Sequence, residues 1–295
     1  MDLNKDGCPD ILSGSYSRNG GGFMAGLFQV LWGTKDGKFK KAEALKGTDG
    51  KPLTLPLEGA SDENTPRICT RPFAVDWDSD GDLDIVSGNF AGTLVVFSGD
   101  GDGKFGPKGS MLREADGKEP LRVKGMHSDP FVVDMDGDGD LDIVSGSGMG
   151  GVQLALNTAG KGKPPAFEGF EELLPATGRF EGHWFKPGEG PEGPASSTRV
   201  WVHDLNEDGK YDLLIGDLVT LKYPAKGLTE DEAVKKEEAW LKEMTDLQEK
   251  VQAAAGESGD EPPAELMEKL EERWSERVEF AVDERTGFVW ACLQK

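Results

Sequence analysis

The 295 residues include 55 Asp and Glu against 33 Lys and Arg, which gives a formal net charge of −22 at pH 7. This surplus of negative charge repels nucleic acid and anionic membrane surfaces, so the composition argues against both as partners. The longest apolar stretch, Phe23 to Gly33, is too short to cross a bilayer and argues against membrane insertion. The 41 Gly and 17 Pro lie between short apolar runs, a pattern that favours tight turns and an all-β fold.

The chain begins with an acidic motif that recurs three more times. The motif reads Asp, x, Asp or Asn, x, Asp, Gly, x, x, Asp, and an apolar pair and a glycine follow each copy at a fixed offset. The spacing leaves room in each repeat for one four-stranded propeller blade with insertions. The copies occupy residues 2–10, 76–84, 134–142 and 204–212, and the glycines that follow them are Gly14, Gly88, Gly146 and Gly216.

Strand-like segments flank the acidic motifs. A short apolar run precedes each of the last three copies, and a strand follows every copy. A further apolar strand comes next, and turns with the sequence Asp-Gly-Lys-Phe close two of these strands. The order strand, acidic loop, strand, turn, strand predicts one antiparallel blade per copy. We expect the blades near residues 1–60, 61–120, 121–190 and 191–295.

Met1 lies directly before the first acidic motif, where the other copies have a strand. We therefore expect that this strand, and any export signal, precedes Met1 in the native protein. The blades would then form either a compact ring with an imperfect seam or an open arc of a longer chain.

The acidic loops offer the ligands that calcium prefers, since Ca²⁺ takes six to eight oxygens in flexible geometry. Positions 1, 3, 5 and 9 of each loop supply carboxylate or amide oxygens, position 7 supplies a backbone carbonyl, and glycine at position 6 permits positive φ. Without a cation so many carboxylates would repel one another. We predict up to four Ca²⁺ sites. Their side-chain ligands are Asp2, Asn4, Asp6, Asp10, Asp76, Asp78, Asp80, Asp84, Asp134, Asp136, Asp138, Asp142, Asp204, Asn206, Asp208 and Asp212, and their carbonyl ligands are Cys8, Asp82, Asp140 and Lys210.

Other interpretations of the loops are weaker. An EF-hand shares the first six positions but requires Glu at position 12 and flanking helices, whereas position 12 is Ser or Ile here and the flanks are β-rich. Ordinary acidic turns remain the alternative. Mg²⁺ is disfavoured because cages of protein oxygens suit calcium better. Asn4 and Asn206 lower the charge of the outer loops and predict weaker sites there.

Residues 228–280 interrupt the repeats. Thr229 and Glu232 form a capping-box pattern, and Pro262 and Pro263 mark the start of a second helix after a break at Gly256–Asp260. We predict an antiparallel helical hairpin inserted in the last blade. Its apolar stripes either pack on each other and the blade edge or form a docking surface. The stripes are Trp240, Met244, Leu247 and Val251, then Leu266, Leu270, Trp274 and Val278.

The acidic motif between strands, with its glycine and its Asp-Gly-x-Phe turn, resembles the FG-GAP or VCBS repeats of integrin α-subunit propellers and many secreted bacterial proteins. The resemblance covers about residues 1–227 and 283–295. It implies an all-β propeller of about four antiparallel blades, and a secreted, periplasmic or cell-surface location. In such propellers the calcium loops lie on one face and variable loops on the other. On that other face the inter-blade segments here carry Arg67, Arg71, His127, Asp129, Ser197 and Arg199, which either bind an anionic or sugar ligand or hydrogen-bond neighbouring loops.

The sequence favours a calcium-stabilised extracellular module that recognises or scaffolds a protein or carbohydrate ligand. It contains no H-E-x-x-H, no G-x-S-x-G and no phosphate-binding glycine loop, and we predict no catalytic residues. The three cysteines fit buried free thiols better than a disulfide framework, although one bridge remains possible. The alternatives are a propeller hydrolase or lyase with a site at the channel mouth, and one domain of a larger surface protein. A convergence of His, Arg and Asp side chains at that mouth would favour the enzyme.

Overall fold

The computed structural model describes residues 1–15, 18–19, 23–24, 26–56, 68–177, 184, 193–255 and 262–295. The chain divides into two compact units. The first comprises 1–179, 192–218 and 287–295 and carries the repeats, and the second comprises 180–191 and 219–286 and carries the helices. Arg67, His183 and the predicted helix break at Gly256–Asp260 lie outside the described residues.

The strands follow the repeats. In chain order they are β1 (Ile11–Ser13), β2 (Arg18–Asn19), β3 (Phe23–Met24), β4 (Gln29–Leu31), β5 (Glu43–Ala44), β6 (Arg71–Val75), β7 (Asp84–Gly88), β8 (Leu94–Phe97), β9 (Ser110–Met111), β10 (Asp129–Val133), β11 (Asp142–Gly146), β12 (Val152–Ala155), β13 (Glu171–Leu174), β14 (Ser196–His203), β15 (Asp212–Pro224), β16 (Ala281–Thr286) and β17 (Val289–Cys292).

These strands form the four antiparallel blades of a β-propeller, which confirms the predicted fold class. Blade 1 has the order β1-β4-β5, blade 2 the order β6-β7-β8-β9, and blade 3 the order β10-β11-β12-β13. In blade 4, β14 and β17 both pair with β15. β1 corresponds to β7 and β11, which each pair on both edges, whereas the described residues pair β1 only with β4.

Three apolar clusters hold successive blades together. One lies between blades 1 and 2 and contains Phe28, Ile85 and Phe105; the next lies between blades 2 and 3 and contains Val86 and Ile143. The third joins Val144 of blade 3 to Val202 and Ile215 of blade 4. Alternate residues of a strand therefore face opposite neighbours: Ile85 points towards the preceding blade and Val86 towards the following one.

In blades 2 and 3 the glycine that ends the second strand allows the next blade to approach. A Cβ at Gly88 would lie 2.1 Å from the Ser128 carbonyl oxygen, and one at Gly146 would lie 2.2 Å from the Thr198 carbonyl oxygen. The hydroxyls of Ser128 and Thr198 also accept hydrogen bonds from the N–H groups that follow these glycines, at 3.0 and 2.9 Å. The fixed glycine in the repeat is therefore a packing requirement between blades.

The second unit contains α1 (Glu230–Ala255), α2 (Ala264–Glu276) and the β-pairing of Val219–Pro224 with β16. The predicted helical hairpin is confirmed, and the capping box forms: Glu232 Oε2 accepts a 2.8 Å hydrogen bond from the Thr229 N–H. Trp240 and Met244 of the first apolar stripe are buried, whereas Trp274 and Val278 of the second are exposed. No described helix has the length and apolarity that crossing a membrane requires.

Candidate functional site

The four acidic loops share one backbone geometry. In each loop the carboxylate at position 1 accepts a hydrogen bond from the glycine N–H at position 6, at 2.8 to 3.1 Å. The side chain at position 3 accepts from the N–H at position 5, and the carboxylate at position 5 accepts from the N–H at position 7. These bonds fold each loop tightly.

Two positions of each loop have left-handed backbone conformations. Glycine at position 6 has φ between 83° and 94° in all four copies, as the sequence predicts. Position 4 is also left-handed, although only Gly137 is a glycine there. Lys5, Ser79 and Glu207 adopt the same region with φ of 54° to 63°. A non-glycine residue in the left-handed region is less stable by about 1–2 kcal/mol than the same residue in helical or extended backbone. Other contacts of the loop must therefore outweigh this strain.

The carboxylate at position 9 ties the loop to the sheet. Asp142 is fully buried, and its two oxygens accept 2.8 Å hydrogen bonds from the N–H groups of Met135, at position 2 of the loop, and Asn157, after the third strand. The other three copies make the same pair of bonds at 2.7 to 2.9 Å, through Asp10, Asp84 and Asp212. The motif residue that the sequence predicts only as a ligand is therefore also a structural clamp.

The carboxylates of the two central loops converge. Oxygens of Asp76, Asp78 and Asp84 lie within 4.8 Å of one another in blade 2, and those of Asp134, Asp136 and Asp138 do so in blade 3. Asp76 Oδ1 is buried and accepts no hydrogen bond from the described residues. A buried carboxylate oxygen without a donor is rare unless a water or an ion satisfies it. The donor set, all oxygens on short side chains, fits a hard cation such as Ca²⁺.

The pKa shifts of the position-9 carboxyls also favour a bound cation. Burial raises the pKa of Asp84, hydrogen bonds from Gly99 and Trp77 lower it, and the charges of Asp78 and Asp80 raise it again. Asp142 behaves alike: burial and the neighbouring charges of Asp136 and Asp138 raise its pKa. A cation bound among these groups would favour their ionised form and relieve the repulsion.

The outer loops differ at position 3. Asn4 Nδ2 donates a 3.2 Å hydrogen bond to Asp6 Oδ2, and Asn206 donates the same bond to Asp208. The amide thus engages a carboxylate oxygen that the calcium prediction assigns to the ion. This contact is consistent with weaker sites in blades 1 and 4.

A second group of charges lies at the other end of the first strands. Asp129 Oδ2 lies 2.9 Å from Arg199 Nε and 3.8 Å from Arg71 Nη1, so these three residues form an ion-pair chain across blades 2, 3 and 4. Burial raises the pKa of Asp129 to about 6, and the charge of Arg71 acts in the opposite direction. Arg71 Nε is buried and donates no hydrogen bond to the described residues.

The segments that lead into these strands are conformationally unusual. Cys69, His127 and Ser197 occupy the same place in three successive blades, and all have positive φ, between 50° and 61°. The His127 ring packs on Phe90 with 4.2 Å between ring centroids, and burial lowers its pKa. Strained backbone of this kind concentrates at functional sites. Of the predicted inter-blade residues, Arg71, Asp129 and Arg199 come together, and His127 and Ser197 border them.

The hydroxyl residues Thr70, Ser128 and Thr198 hold neighbouring blades together and are not among the site residues that the sequence predicts. Each stands six residues before an acidic loop, and each caps the preceding blade through its side-chain oxygen. Their constant offset from the motif was the available signal. The three cysteines are free, and Cys8 and Cys69 are buried.

Comparison with known families gives one finding that agrees with this geometry. A family model described as an FG-GAP-like repeat matches residues 76–145, from the acidic loop of blade 2 through that of blade 3. No curated protein matches the chain. The matched segment has the same loop, clamp and glycine as the other two copies. The match over residues 76–145, together with the four-blade arrangement, supports an FG-GAP-like propeller.

Proposed function

We propose that this propeller is a calcium-stabilised extracellular module that recognises or scaffolds a protein or carbohydrate ligand. The buried oxygen of Asp76 carries the calcium assignment, because it lies in a cluster of carboxylates and accepts no hydrogen bond from the part of the chain that the structure describes. The repetition of one loop geometry in four blades supports up to four ions of graded affinity. Blades 2 and 3 hold the stronger sites, since their loops contain no Asn.

The extracellular assignment rests on ion availability. Sites in extracellular modules bind calcium with Kd values of about 10⁻⁴ to 10⁻³ M, which only a compartment with millimolar calcium would fill. The exposed carboxylates of the loops, on a protein of net charge −22, attract such a cation. The match to an FG-GAP-like repeat also supports an extracellular location. Secretion is part of the same proposal.

Recognition is assigned to the end of the blades that carries Arg71, Asp129 and Arg199. Arg199 is half-exposed there, and the surrounding backbone is strained. Two guanidinium groups around one carboxylate leave a local positive surplus on an acidic protein. This arrangement favours a ligand with carboxylate, sulfate or hydroxyl groups.

A hydrolase or lyase is the second candidate, because His127 and Asp129 stand near this group of arginines. Burial raises the pKa of Asp129 to about 6, which brings this carboxyl closer to the range that acid–base catalysis uses, whereas burial lowers the pKa of His127. Incubation with ester, glycoside and polyuronate substrates tests this candidate. Turnover that Asp129→Asn abolishes would favour the enzyme over the recognition module.

Calcium titration tests the main proposal. At tenfold saturation each site stabilises the fold by about 1.4 kcal/mol, so four independent sites contribute about 5–6 kcal/mol. Calorimetric unfolding with calcium, with magnesium and with EDTA should show a melting temperature raised most by calcium. An identical melt in all three buffers would refute the calcium assignment. Glycan and protein arrays probed with and without calcium would then identify the ligand class.

A further inference from the structure

The two ends of the row of blades expose side chains that the interior blades bury. In blade 1, Ile11 is 43% exposed and Phe39 is 47% exposed. Strand register identifies their counterparts, since Ile11 pairs with Leu31 as Ile85 pairs with Phe97, and Phe39 bridges Gly33 as Phe105 bridges Gly99. The counterparts in blades 2 and 3 are all 0% exposed: Ile85, Phe105, Ile143 and Phe167. We call Ile11, Leu31 and Phe39 the leading face.

Blade 4 presents the complementary surface. Val289 is 78% exposed, whereas its counterparts Leu94 and Val152 are 0% exposed. Trp201 ends a row of aromatic side chains on the first strands: Phe73 lies 4.7 Å from Phe131, and Phe131 lies 5.1 Å from Trp201, between ring centroids. Trp201 itself is 57% exposed. We call Trp201, Leu214 and Val289 the trailing face.

The repeat glycine of blade 4, Gly216, indicates that the trailing face can pack against another blade. Gly14, Gly88 and Gly146 each sit where a Cβ would lie 1.8 to 2.2 Å from a backbone carbonyl of the following blade. Gly216 holds the same place in blade 4 without positive φ, yet the described residues leave only the Arg199 Cβ near it, at 3.9 Å. Blade 4 thus has the repeat glycine, although no described residue of another blade lies within 4 Å of the Cβ position. The face is therefore of the kind that packs against another blade.

We propose that the trailing face of one chain packs on the leading face of a second copy, head to tail. Both halves of the interface exist on this chain, and the clusters between its own blades show that such faces fit each other. The leading face offers the same second-strand, third-strand and turn positions that blades 2 and 3 bury against their predecessors. A heterologous contact of this kind closes into a ring or extends as a filament. Two copies would supply eight blades, which lies within the range of known propeller rings.

Sedimentation velocity with matched variants tests the proposal. The full chain is examined between about 1 and 100 μM in about 1 mM calcium, where an interface of ordinary size is measurable. Val289→Arg blocks the trailing face, and Phe39→Arg blocks the leading face. Val278→Arg is the matched control, since Val278 is 72% exposed and lies outside both faces. Each face variant should weaken association at least about tenfold, and the control should not.

A mixture of the two face variants gives the decisive measurement. Each variant retains the face that the other lacks, so the mixture should form a one-to-one complex that cannot grow further. Monomeric wild-type chain at the highest concentration would overturn the proposal, and so would association that Val289→Arg leaves unchanged. Variants that are monomeric alone and in mixture would exclude head-to-tail packing. Circular dichroism of each variant establishes that the blades remain folded.

Discussion

The position-9 carboxylate should stabilise the blade whether or not calcium is bound. Asp142 is fully buried, and its two oxygens accept hydrogen bonds of 2.8 Å from the N–H groups of Met135 and Asn157. Asp142→Ala leaves the buried N–H of Asn157 and the half-buried N–H of Met135 without an acceptor, at about 1–3 kcal/mol for a fully buried group and less for a half-buried one. The raised pKa of Asp142 shows that burying its charge has a cost of its own, which offsets part of this loss. We expect a net destabilisation of about 2–5 kcal/mol in EDTA.

Asp138 is the informative comparison within the same loop. It is exposed and accepts one hydrogen bond, from the Asp140 N–H at 2.9 Å. Asp138→Ala should therefore cost less than about 1 kcal/mol in EDTA, as expected for an exposed polar contact. In calcium at tenfold saturation it should lose a further 1.4 kcal/mol or so, because the site loses a ligand. Asp116→Ala is the control, since Asp116 lies in an exposed turn outside the acidic loops, where it accepts a hydrogen bond from the Lys118 N–H and lies 3.3 Å from the Lys118 ammonium.

Urea unfolding of the three variants and the wild type, each with EDTA and with calcium, measures these differences. The expected result is a large calcium-independent loss for Asp142→Ala and a small, calcium-dependent loss for Asp138→Ala. Binding stoichiometry from calorimetry should fall by one site for Asp138→Ala and stay unchanged for Asp116→Ala. Equal losses for Asp138→Ala and Asp142→Ala in EDTA would refute the division of roles between ligand and clamp.

Two further predictions follow from close contacts. Gly146→Ala places a Cβ 2.2 Å from the Thr198 carbonyl oxygen and should destabilise the chain by about 1–3 kcal/mol, whereas Gly216→Ala, with 3.9 Å of clearance, should be neutral or slightly stabilising in urea unfolding. Equal effects would contradict the packing role of the repeat glycine. In the second unit, Lys222→Met leaves the buried Glu237 carboxylate without its cation and should lower the free energy of unfolding by about 3–5 kcal/mol. The double variant Lys222→Met with Glu237→Leu should regain most of that stability. If the double variant is no more stable than Lys222→Met alone, the unpaired Glu237 carboxylate is not the cause of the lost stability.

The blades were predictable because their determinants are local. Each repeat carries its own loop, its own glycine and its own alternating strands within a few dozen residues, and register then follows from which side chains must be buried. The capping box at Thr229 and Glu232 was predictable for the same reason. A motif whose residues hydrogen-bond to one another within a single turn can be predicted from the local sequence alone.

The remaining features depend on contacts between distant residues. The left-handed conformation at position 4 leaves a signal only in Gly137, because Lys5, Ser79 and Glu207 adopt it without being glycines. The clamp role of Asp142 depends on Asn157, which only the sheet brings near it. Lys222 and Glu237 meet across a strand and a helix, and no spacing rule pairs them. Sequence also gives Ile11 and Ile85 the same expected burial, and only the structure shows that one is exposed.

The acidic loops and the arginine group occupy opposite ends of the same strands. β6 begins at Arg71 and ends at Val75, directly before the loop of blade 2, and β10 runs likewise from Asp129 to the loop of blade 3. Five extended residues separate the two ends by roughly 13–17 Å, which is more than the screening length of about 8 Å at physiological ionic strength. Under the proposed function, calcium therefore cannot bridge to a ligand or attract it directly. Under the same proposal, calcium contributes to ligand binding through the strands. The ions hold the loop, and the loop and its position-9 carboxylate hold the second strand. The first strand, which pairs with the second, then keeps Arg71 and Asp129 in position.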